Sequence, residues 1–527
     1  MNKYSKKVIY IAAIVFIFAL SSIVYLYPIQ KKGFPPGGEF ISLITARNWA
    51  TSGQYISESA NGTILSSSNV LESGSETAIL NPLTPIIYGR IFKTYDANLE
   101  LPMFFSIILF AISNVLLFVL ATRLFNLKIG LLCGITSSFL PVMVLGAIQP
   151  GFYEWGLLFF TIALTFFFWS KDSKPKYSQL ILASIFFALA ALARNAFAVS
   201  FIPFVIFELY RNRSVKRLVA IVLPFIVLFG LTLTQYSWLG MENGYFSKTK
   251  SPFIQIGHLF PDSYTETYKK ADYINSLRES GEYDRTNTAF LKKYGFPVST
   301  KDTLNSYFDS AKFYLSETFK FTNLGGSLTI LLMLIGGAYL YKNKRWLLTV
   351  FGLWVVVTYL SLIYFQTSNW DHFIELAFPI SLMCSLGIIT IINKIKDLEL
   401  NKFIKTSFSV ALGLLFVLNL VQANKWSLFD YYRSSVMEQT VEISQSINNL
   451  GLDPKKESIA IGIHPNAVYI ANYLTDLNFT YFNEKTITNF GIEELRKAFK
   501  DYKITRFTGF TQELSKKIKE ITKLDSI

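Results

Sequence analysis

The chain has 527 residues, of which 51% are hydrophobic, 16% aromatic and only 16% charged. A water-soluble domain carries about 25% charged residues, so this composition excludes an ordinary soluble enzyme, and its apolar content excludes a disordered chain. The net charge of +14, from 50 Lys and Arg against 36 Asp and Glu, does not indicate a nucleic-acid partner, because many of the cations fall in short clusters between apolar runs.

A bilayer core takes about 20 apolar residues per helix. Runs of that kind predict a polytopic α-helical membrane protein of about eleven spans, at 8–27, 101–122, 129–148, 153–170, 178–193, 196–210, 217–239, 325–341, 346–365, 373–393 and 405–423. The first run follows Met-Asn-Lys-Tyr-Ser-Lys-Lys, is too long for a signal-peptide core, and leads into Tyr25-Leu-Tyr-Pro28 with no small-residue cleavage site. It reads as a retained anchor.

Clusters at Lys3, Lys6 and Lys7, at Lys171, Lys174 and Lys176, at Arg211, Arg213, Lys216 and Arg217, at Lys342, Lys344 and Arg345, and at Lys394, Lys396, Lys402 and Lys405 alternate with the spans. With a cytoplasmic amino terminus all of them fall on the cytoplasmic side, and the short opposite loops at 149–154 and 366–372 hold no Lys or Arg, as the positive-inside rule requires. The long loops at about 28–100 and 240–323, and everything after about 424, are then exoplasmic. The chain divides into a membrane body, 1–423, and an exoplasmic α/β domain, 424–527.

In that tail Ser458–Ile463 and Ile504–Phe510 read as strands, and Asn466–Leu474, Ile492–Asp501 and Gln512–Lys523 as helices. Within the second long loop, Ser299-Thr-Lys-Asp302 resembles a helix start, and Tyr307, Phe308, Phe313 and Tyr314 recur between charges. A helix lying on the outer membrane surface suits this pattern. There is no internal repeat of fixed period and no sign of a helix broken at the membrane midplane. The two cysteines, Cys133 and Cys384, sit inside apolar runs and read as packed core thiols rather than a disulfide or a zinc site.

Ionisable residues at span ends are expensive and therefore informative. Glu39 follows the first span in Phe34-Pro-Pro-Gly-Gly-Glu39, and Glu154 opens the fourth in Gln149-Pro-Gly-Phe-Tyr-Glu154. Arg194-Asn195 ends the fifth, and Asp371-His372 opens the tenth. All of them fall on the predicted outer face. Arg194 runs against the topology rule, and a phosphate held there would explain it. The alternatives are a snorkelling or capping arginine and, for the two glutamates, solvated helix termini favoured by the helix dipole.

At these residues the sequence resembles the polytopic GT-C glycosyltransferases, in particular the protein-mannosyltransferase and lipid A aminoarabinose-transferase branch. Glu39-Phe-Ile-Ser-Leu-Ile-Thr-Ala-Arg-Asn-Trp-Ala-Thr-Ser-Gly53 is similar to the family's first-loop motif, and Asn81-Pro-Leu-Thr-Pro-Ile-Ile-Tyr88 to its Lys-Pro-Pro-Leu stretch. Glu154 stands where the family has an acidic residue opening the fourth span. Leu192-Ala-Arg-Asn-Ala196 resembles its Leu-x-Lys-Gly step, and His372-Phe-Ile-Glu-Leu-Ala-Phe-Pro379 the opening of a late span. These five pieces occur in the family's order over about the first 395 residues. The departures are that the family's leading acid falls on Gly38 in a gapless match, with Glu39 at the second acidic position, and that Asn81 replaces the lysine before proline.

The resemblance implies transfer of a sugar from a polyprenyl-phosphate donor to a protein, lipid or polysaccharide acceptor on the exoplasmic side, with inversion. It implies Glu39 and Glu154 as the catalytic carboxylates. Arg194, His372, Arg90 and Arg47 would bind the donor phosphate, and Asn81, Pro82 and Asp371 would be motif residues. A divalent ion is optional, with Glu39 and Glu154 as its ligands. The competing readings are a transporter or lipid carrier, a membrane-anchored sensor, and an oligosaccharide transferase using a lipid-diphosphate donor.

Overall fold

A computed structural model describes residues 3–32, 40–52, 63–66, 69–72, 83–95, 97, 100–151, 153–169, 175–194, 196–230, 300–365, 370–398, 401–432, 435–453, 456–463, 471, 474–475, 477–482, 492–501 and 503–527. Each of the eleven apolar runs is mostly helical where it is described. Helix α1 spans Lys3–Lys32, and α2 (Phe40–Ser52) and α3 (Leu83–Phe92) belong to the first long loop. The bundle continues through α4 (Glu100–Leu124), α5 (Leu127–Phe139), α6 (Pro141–Ala147), α7 (Glu154–Phe167), α8 (Tyr177–Ala193), α9 (Ala196–Asn212) and α10 (Val215–Phe225). After the second long loop come α11 (Thr300–Phe319), the short α12 (Phe321–Leu324), α13 (Gly326–Asn343), α14 (Arg345–Phe365), α15 (Ala377–Asp397) and α16 (Lys402–Tyr432).

Among the described residues five helices are long and apolar enough to cross a membrane on their own, and the bent pair α5/α6 makes a sixth. The bend of 60° is a feature the sequence reading missed, and its cause is local. Pro141 disfavours helical backbone at Leu140, which is extended (φ −67°, ψ 125°), and Pro141 then starts α6 at its first position. The Phe139 carbonyl at the break accepts a bond from Asn424 Nδ2 of α16 at 2.6 Å, so a polar group that the break would leave unpaired in the apolar interior is satisfied.

Packing follows the rules of helices in lipid, where small residues and interhelical hydrogen bonds replace the hydrophobic drive. Gly336 of α13 and Gly387 of α15 let two backbones touch: a Cβ at Gly336 would lie 1.9 Å from the Met383 carbonyl oxygen, and one at Gly387 2.2 Å from that of Leu332. Helices α1, α4 and α5 are pinned by Asn114, whose Nδ2 donates to Ser21 Oγ at 2.9 Å and Ser138 Oγ at 2.8 Å. Around α7 to α9 the core is aromatic, with Phe160, Phe187, Phe197, Phe204 and Trp354 in mutual ring contact. Cys133 and Cys384 are both buried free thiols.

The carboxyl-terminal part adds α17 (Ser435–Asn449), β3 (Ser458–Ile461), β4 (Asn478–Phe482), α18 (Ile492–Asp501), β5 (Arg506–Thr508), α19 (Gln512–Thr522) and β6 (Asp525–Ser526). The expected strands and the last two helices are present, whereas most of Asn466–Leu474 lies outside the described residues. Alternation along β3 and β4 sends Ile459, Ile461 and Phe479 to one face with Ile447 of α17. Ala460 and Phe482 go to the other face, with Leu495, Phe499, Leu514 and Ile518 of α18 and α19. A sheet covered on both sides in this way suits parallel strands, and β3–β4, β3–β5 and β5–β6 all pair parallel.

The sheet is larger than the tail alone. A hairpin in the first long loop, β1 (Thr63–Ser66) with β2 (Asn69–Glu72), joins its edge through parallel pairing of β1 with β4, giving the order β2-β1-β4-β3-β5-β6. Leu474 of the tail also packs against the cluster of α2 and α3 residues formed by Leu43, Ile44, Ala46, Tyr88 and Phe92. The first loop is thus fastened to the tail at two points. Ile64 and Tyr481 are paired across β1 and β4, and paired residues share a face at disulfide distance. Oxidation of the Ile64→Cys/Tyr481→Cys double variant is therefore expected to join the two segments, read as one band after proteolysis between them; two separate fragments would contradict the pairing.

Candidate functional site

Glu154 is the first residue of α7 and has no exposed surface. Its Oε1 accepts the Tyr88 hydroxyl at 2.6 Å and the Gly151 amide at 2.8 Å. The turn that makes this possible needs Gly151, whose φ of +82° is left-handed and open to glycine without strain. A carboxylate buried without water requires such donors. The solvated-terminus alternative for Glu154 is therefore excluded, although the residue does sit at the positive end of the α7 dipole.

Arg194 ends α8. Its backbone is extended (φ −152°, ψ 113°) and its amide donates to the Ala190 carbonyl, making it the C-cap. The capping alternative is thus realised in the backbone, while the guanidinium lies 4.9 Å from the centre of the Tyr153 ring. Tyr153 precedes Glu154 in the chain, so the cation and the buried carboxylate meet at one place. The junction is close-packed: a Cβ on Gly156 would lie 2.6 Å from Phe197 and 3.2 Å from Arg194 Cβ.

Helix α3 completes this corner. Thr84 Oγ1 donates to the carbonyl of Ala193 at 3.0 Å, and Tyr88, one turn later, reaches Glu154. The opposite side of α3 is closed by α2, with Trp49 so near Gly89 that a Cβ there would fall 2.5 Å from the indole. Arg90 is exposed and its guanidinium sits 5.2 Å from the Trp49 ring, which Lys93 also approaches at 4.9 Å. Arg47 is half-buried on α2. The structure therefore brings Glu154 and Arg194 together, and it places Arg90 on the Trp49 side of α3 rather than on the Tyr88 side.

Glu39, Asn81 and Pro82 lie outside the described residues, immediately before α2 in the first case and before α3 in the others. Asp371 and His372 fall in a single 3₁₀ segment, Trp370–Leu376, that leads into α15; their side chains are outside the described set. Three residues of the corner escaped the sequence reading as site residues: Thr84, Tyr88 and Tyr153. The available signal was the spacing of Thr84 and Tyr88, two hydroxyl groups four apart on a mostly apolar helix, which places them on one face. Glu375, a buried carboxylate that accepts a hydrogen bond from Ser200 of α9, is a further ionisable group that the sequence reading does not single out.

The other end of α8 has a different character. Arg217 pairs with the buried Glu208, donates to the Pro175 carbonyl at 2.8 Å and stacks on Tyr177, the first residue of α8. A 17-residue helix is about 25 Å long, so the basic cluster and the Glu154–Arg194 corner lie at opposite ends of the bundle.

Among the described residues no group of three His, Cys, Asp or Glu side chains gathers as a metal set.

No family model matches the sequence, and no curated protein matches it as a relative. Solved structures do match. The apo oligosaccharyltransferase of Archaeoglobus fulgidus superposes with a TM-score of 0.55 at 11% identity, over 93% of this chain and 66% of that one. ArnT from Cupriavidus metallidurans bound to undecaprenyl phosphate does so with a TM-score of 0.51 at 9% identity, over 89% of this chain and 86% of that one. Both are GT-C enzymes.

The chain has the GT-C fold.

The chain spans slightly less than two thirds of the oligosaccharyltransferase's length. A third GT-C structure, AglB from Archaeoglobus fulgidus in complex with an inhibitory peptide and a dolichol-phosphate, matches with a TM-score of 0.52 at 11% identity, over 90% of this chain and 64% of that one. At identities this low the likeness concerns the fold, and the chemistry must be argued from the corner itself.

The Glu154 bonds make a prediction about stability. Glu154→Gln keeps an oxygen that accepts from Tyr88 and Gly151, whereas Glu154→Leu strands both donors at about 1–3 kcal/mol each. Thermal unfolding in detergent is expected to show Glu154→Gln near wild type and Glu154→Leu several degrees lower. Equal midpoints for the two variants would contradict the bonding described.

Proposed function

We propose that this protein is a membrane glycosyltransferase that moves a sugar from a polyprenyl-phosphate donor to an acceptor hydroxyl on the exoplasmic side, with inversion. The observation that carries the reading is the corner in which Arg194 lies over the ring of Tyr153, next in sequence to the buried Glu154 held by Tyr88 and Gly151. Its fold supports the reading, because two GT-C structures of that fold are of an ArnT with undecaprenyl phosphate and an AglB with a dolichol-phosphate. The placement opposite the basic cluster of Arg211, Arg213, Lys216 and Arg217 supports an exoplasmic site, since basic loops stay cytoplasmic. In this account residues 1–423 form the transferase body and 424–527 the exoplasmic domain.

The reaction requires a base at the acceptor and positive charge at the leaving phosphate. Glu39 takes the proton from the acceptor hydroxyl as its oxygen bonds to the anomeric carbon. The bond from that carbon to the phosphate oxygen breaks on the far side, which inverts the centre, and the phosphate leaves with the electron pair. Arg194 stabilises the departing phosphate through charge-assisted hydrogen bonds, with His372, Arg47 and Arg90 as further donor-binding residues. Glu154 orients the acceptor. The acceptor is a protein, lipid or polysaccharide hydroxyl, and the lipid tail of the donor stays among the spans.

One observation favours a second reading. The broken pair α5/α6 is the kind of interruption that carriers use to build substrate sites. Here, however, its open carbonyl is taken by Asn424 and α6 is buried throughout, which is how a packed kink behaves. The two readings separate in lipid nanodiscs given a panel of polyprenyl-phosphate monosaccharides, with acceptors and with or without a divalent metal. Wild type is expected to release free polyprenyl phosphate, and Glu39→Gln to abolish release while expressing normally. Silence of wild type across the panel, or full activity of Glu39→Gln, would overturn the transferase reading or the base, respectively.

A further inference from the structure

We infer that α3 is the element that sets the Glu154 carboxylate relative to Arg194, with Thr84 and Tyr88 as positioning residues. The inference rests on the glycosyltransferase reading above. Both residues lie on α3 in the first long loop, yet each is bonded to a span end on the bundle. Thr84 grips the Ala193 carbonyl, which belongs to the residue directly before Arg194. Tyr88 grips Glu154 Oε1. Residues four apart are stacked on one helix face, about 6 Å along the axis. The helix therefore transfers a fixed spacing from the end of α8 to the carboxylate at the start of α7.

Three further features suit this role. Both bonds are buried, so water does not compete for them. The back of α3 is braced, because Gly89 admits the Trp49 ring at a distance that any side chain would forbid. The Tyr88 ring is itself clamped edge-on by Trp155, the residue after Glu154, at 6.1 Å, and stacked on Phe92 at 5.9 Å. A phenol confined on both sides and donating to one carboxylate oxygen fixes the rotation of the carboxylate about its own axis.

Misplacement of a reacting or orienting group by about 1 Å lowers turnover by roughly 100-fold without a matching loss of ground-state binding. The test uses the full chain in nanodiscs, with a polyprenyl-phosphate sugar that wild type turns over as donor, and compares Thr84→Val, Thr84→Ser and Tyr88→Phe. Thr84→Val and Tyr88→Phe are expected to lower kcat by roughly 10- to 100-fold, with donor KM changed less than about threefold. Thr84→Ser, which keeps the donor hydroxyl, is expected to restore kcat to within about threefold of wild type. Unfolding midpoints measured alongside are expected to leave all three variants folded at the assay temperature.

Wild-type kcat in Thr84→Val and Tyr88→Phe would overturn the positioning role while leaving the transferase reading intact. So would a Thr84→Ser variant as impaired as Thr84→Val. A wild type that transfers no sugar from any donor would overturn the transferase reading, and this inference with it.

Discussion

A carboxylate removed from water at the end of an apolar helix must find donors, and at Glu154 these are the Tyr88 hydroxyl and the Gly151 amide. Much of the surrounding architecture follows from that requirement. Residue 151 needs a left-handed backbone, which glycine supplies. Helix α3 has to dock against α7 and α8, and it does so through Tyr88 and Thr84. Helix α2 then covers the back of α3 at Gly89, and that pair takes Leu474 from the tail into its cluster. The first loop and the membrane bundle thus meet at one buried acidic side chain, and the tail packs against the loop helices that hold it.

Several of the polar groups buried in the bundle are matched by partners on other helices. Asn114 joins three helices through serine hydroxyls, Asn424 satisfies the carbonyl exposed by the Pro141 bend, and Glu208 is paired with Arg217. In an apolar surrounding an unpaired group costs more than the same group in water, so these contacts also define helix register. The two ends of α8 show the division of labour: a basic, ion-paired end beside Tyr177, and an end where Arg194 lies over Tyr153, the residue before the buried Glu154. The hairpin β1–β2 adds a second fastening, since it completes the sheet of the tail from within the first loop.

Much of this is legible in the sequence because bilayer thickness imposes a crude length rule that local composition obeys. The helical runs, the strand at Ser458 and the last two helices all come from period and apolar content alone. Glu154 and Arg194 stand out for a related reason, as ionisable groups at the edges of apolar runs. What composition does not encode is pairing between distant segments. The junction of Ile64 with Tyr481, the Asn424 bond to Phe139 and the reach of Tyr88 to Glu154 join residues 66 to 417 positions apart. The spacing of Thr84 and Tyr88 puts both on one face of α3 but does not tell that this face meets Glu154. The bend at Leu140–Pro141 was within reach, since a proline in an apolar run is a known breaker. It was passed over because the run's apolar content is continuous across it.

The central claim is that the Arg194 end of α8 receives a lipid phosphate, and the most direct measurement is equilibrium binding of undecaprenyl phosphate to wild type, Arg194→Ala and Arg194→Lys in nanodiscs. A hydrogen bond to a charged group contributes about 1.5–3 kcal/mol, so Arg194→Ala is expected to raise Kd by roughly 10-fold or more. Arg194→Lys, which keeps the charge without the planar fork, is expected to fall between the two. Equal affinity in wild type and a folded Arg194→Ala would contradict the account and leave Arg194 as a helix cap.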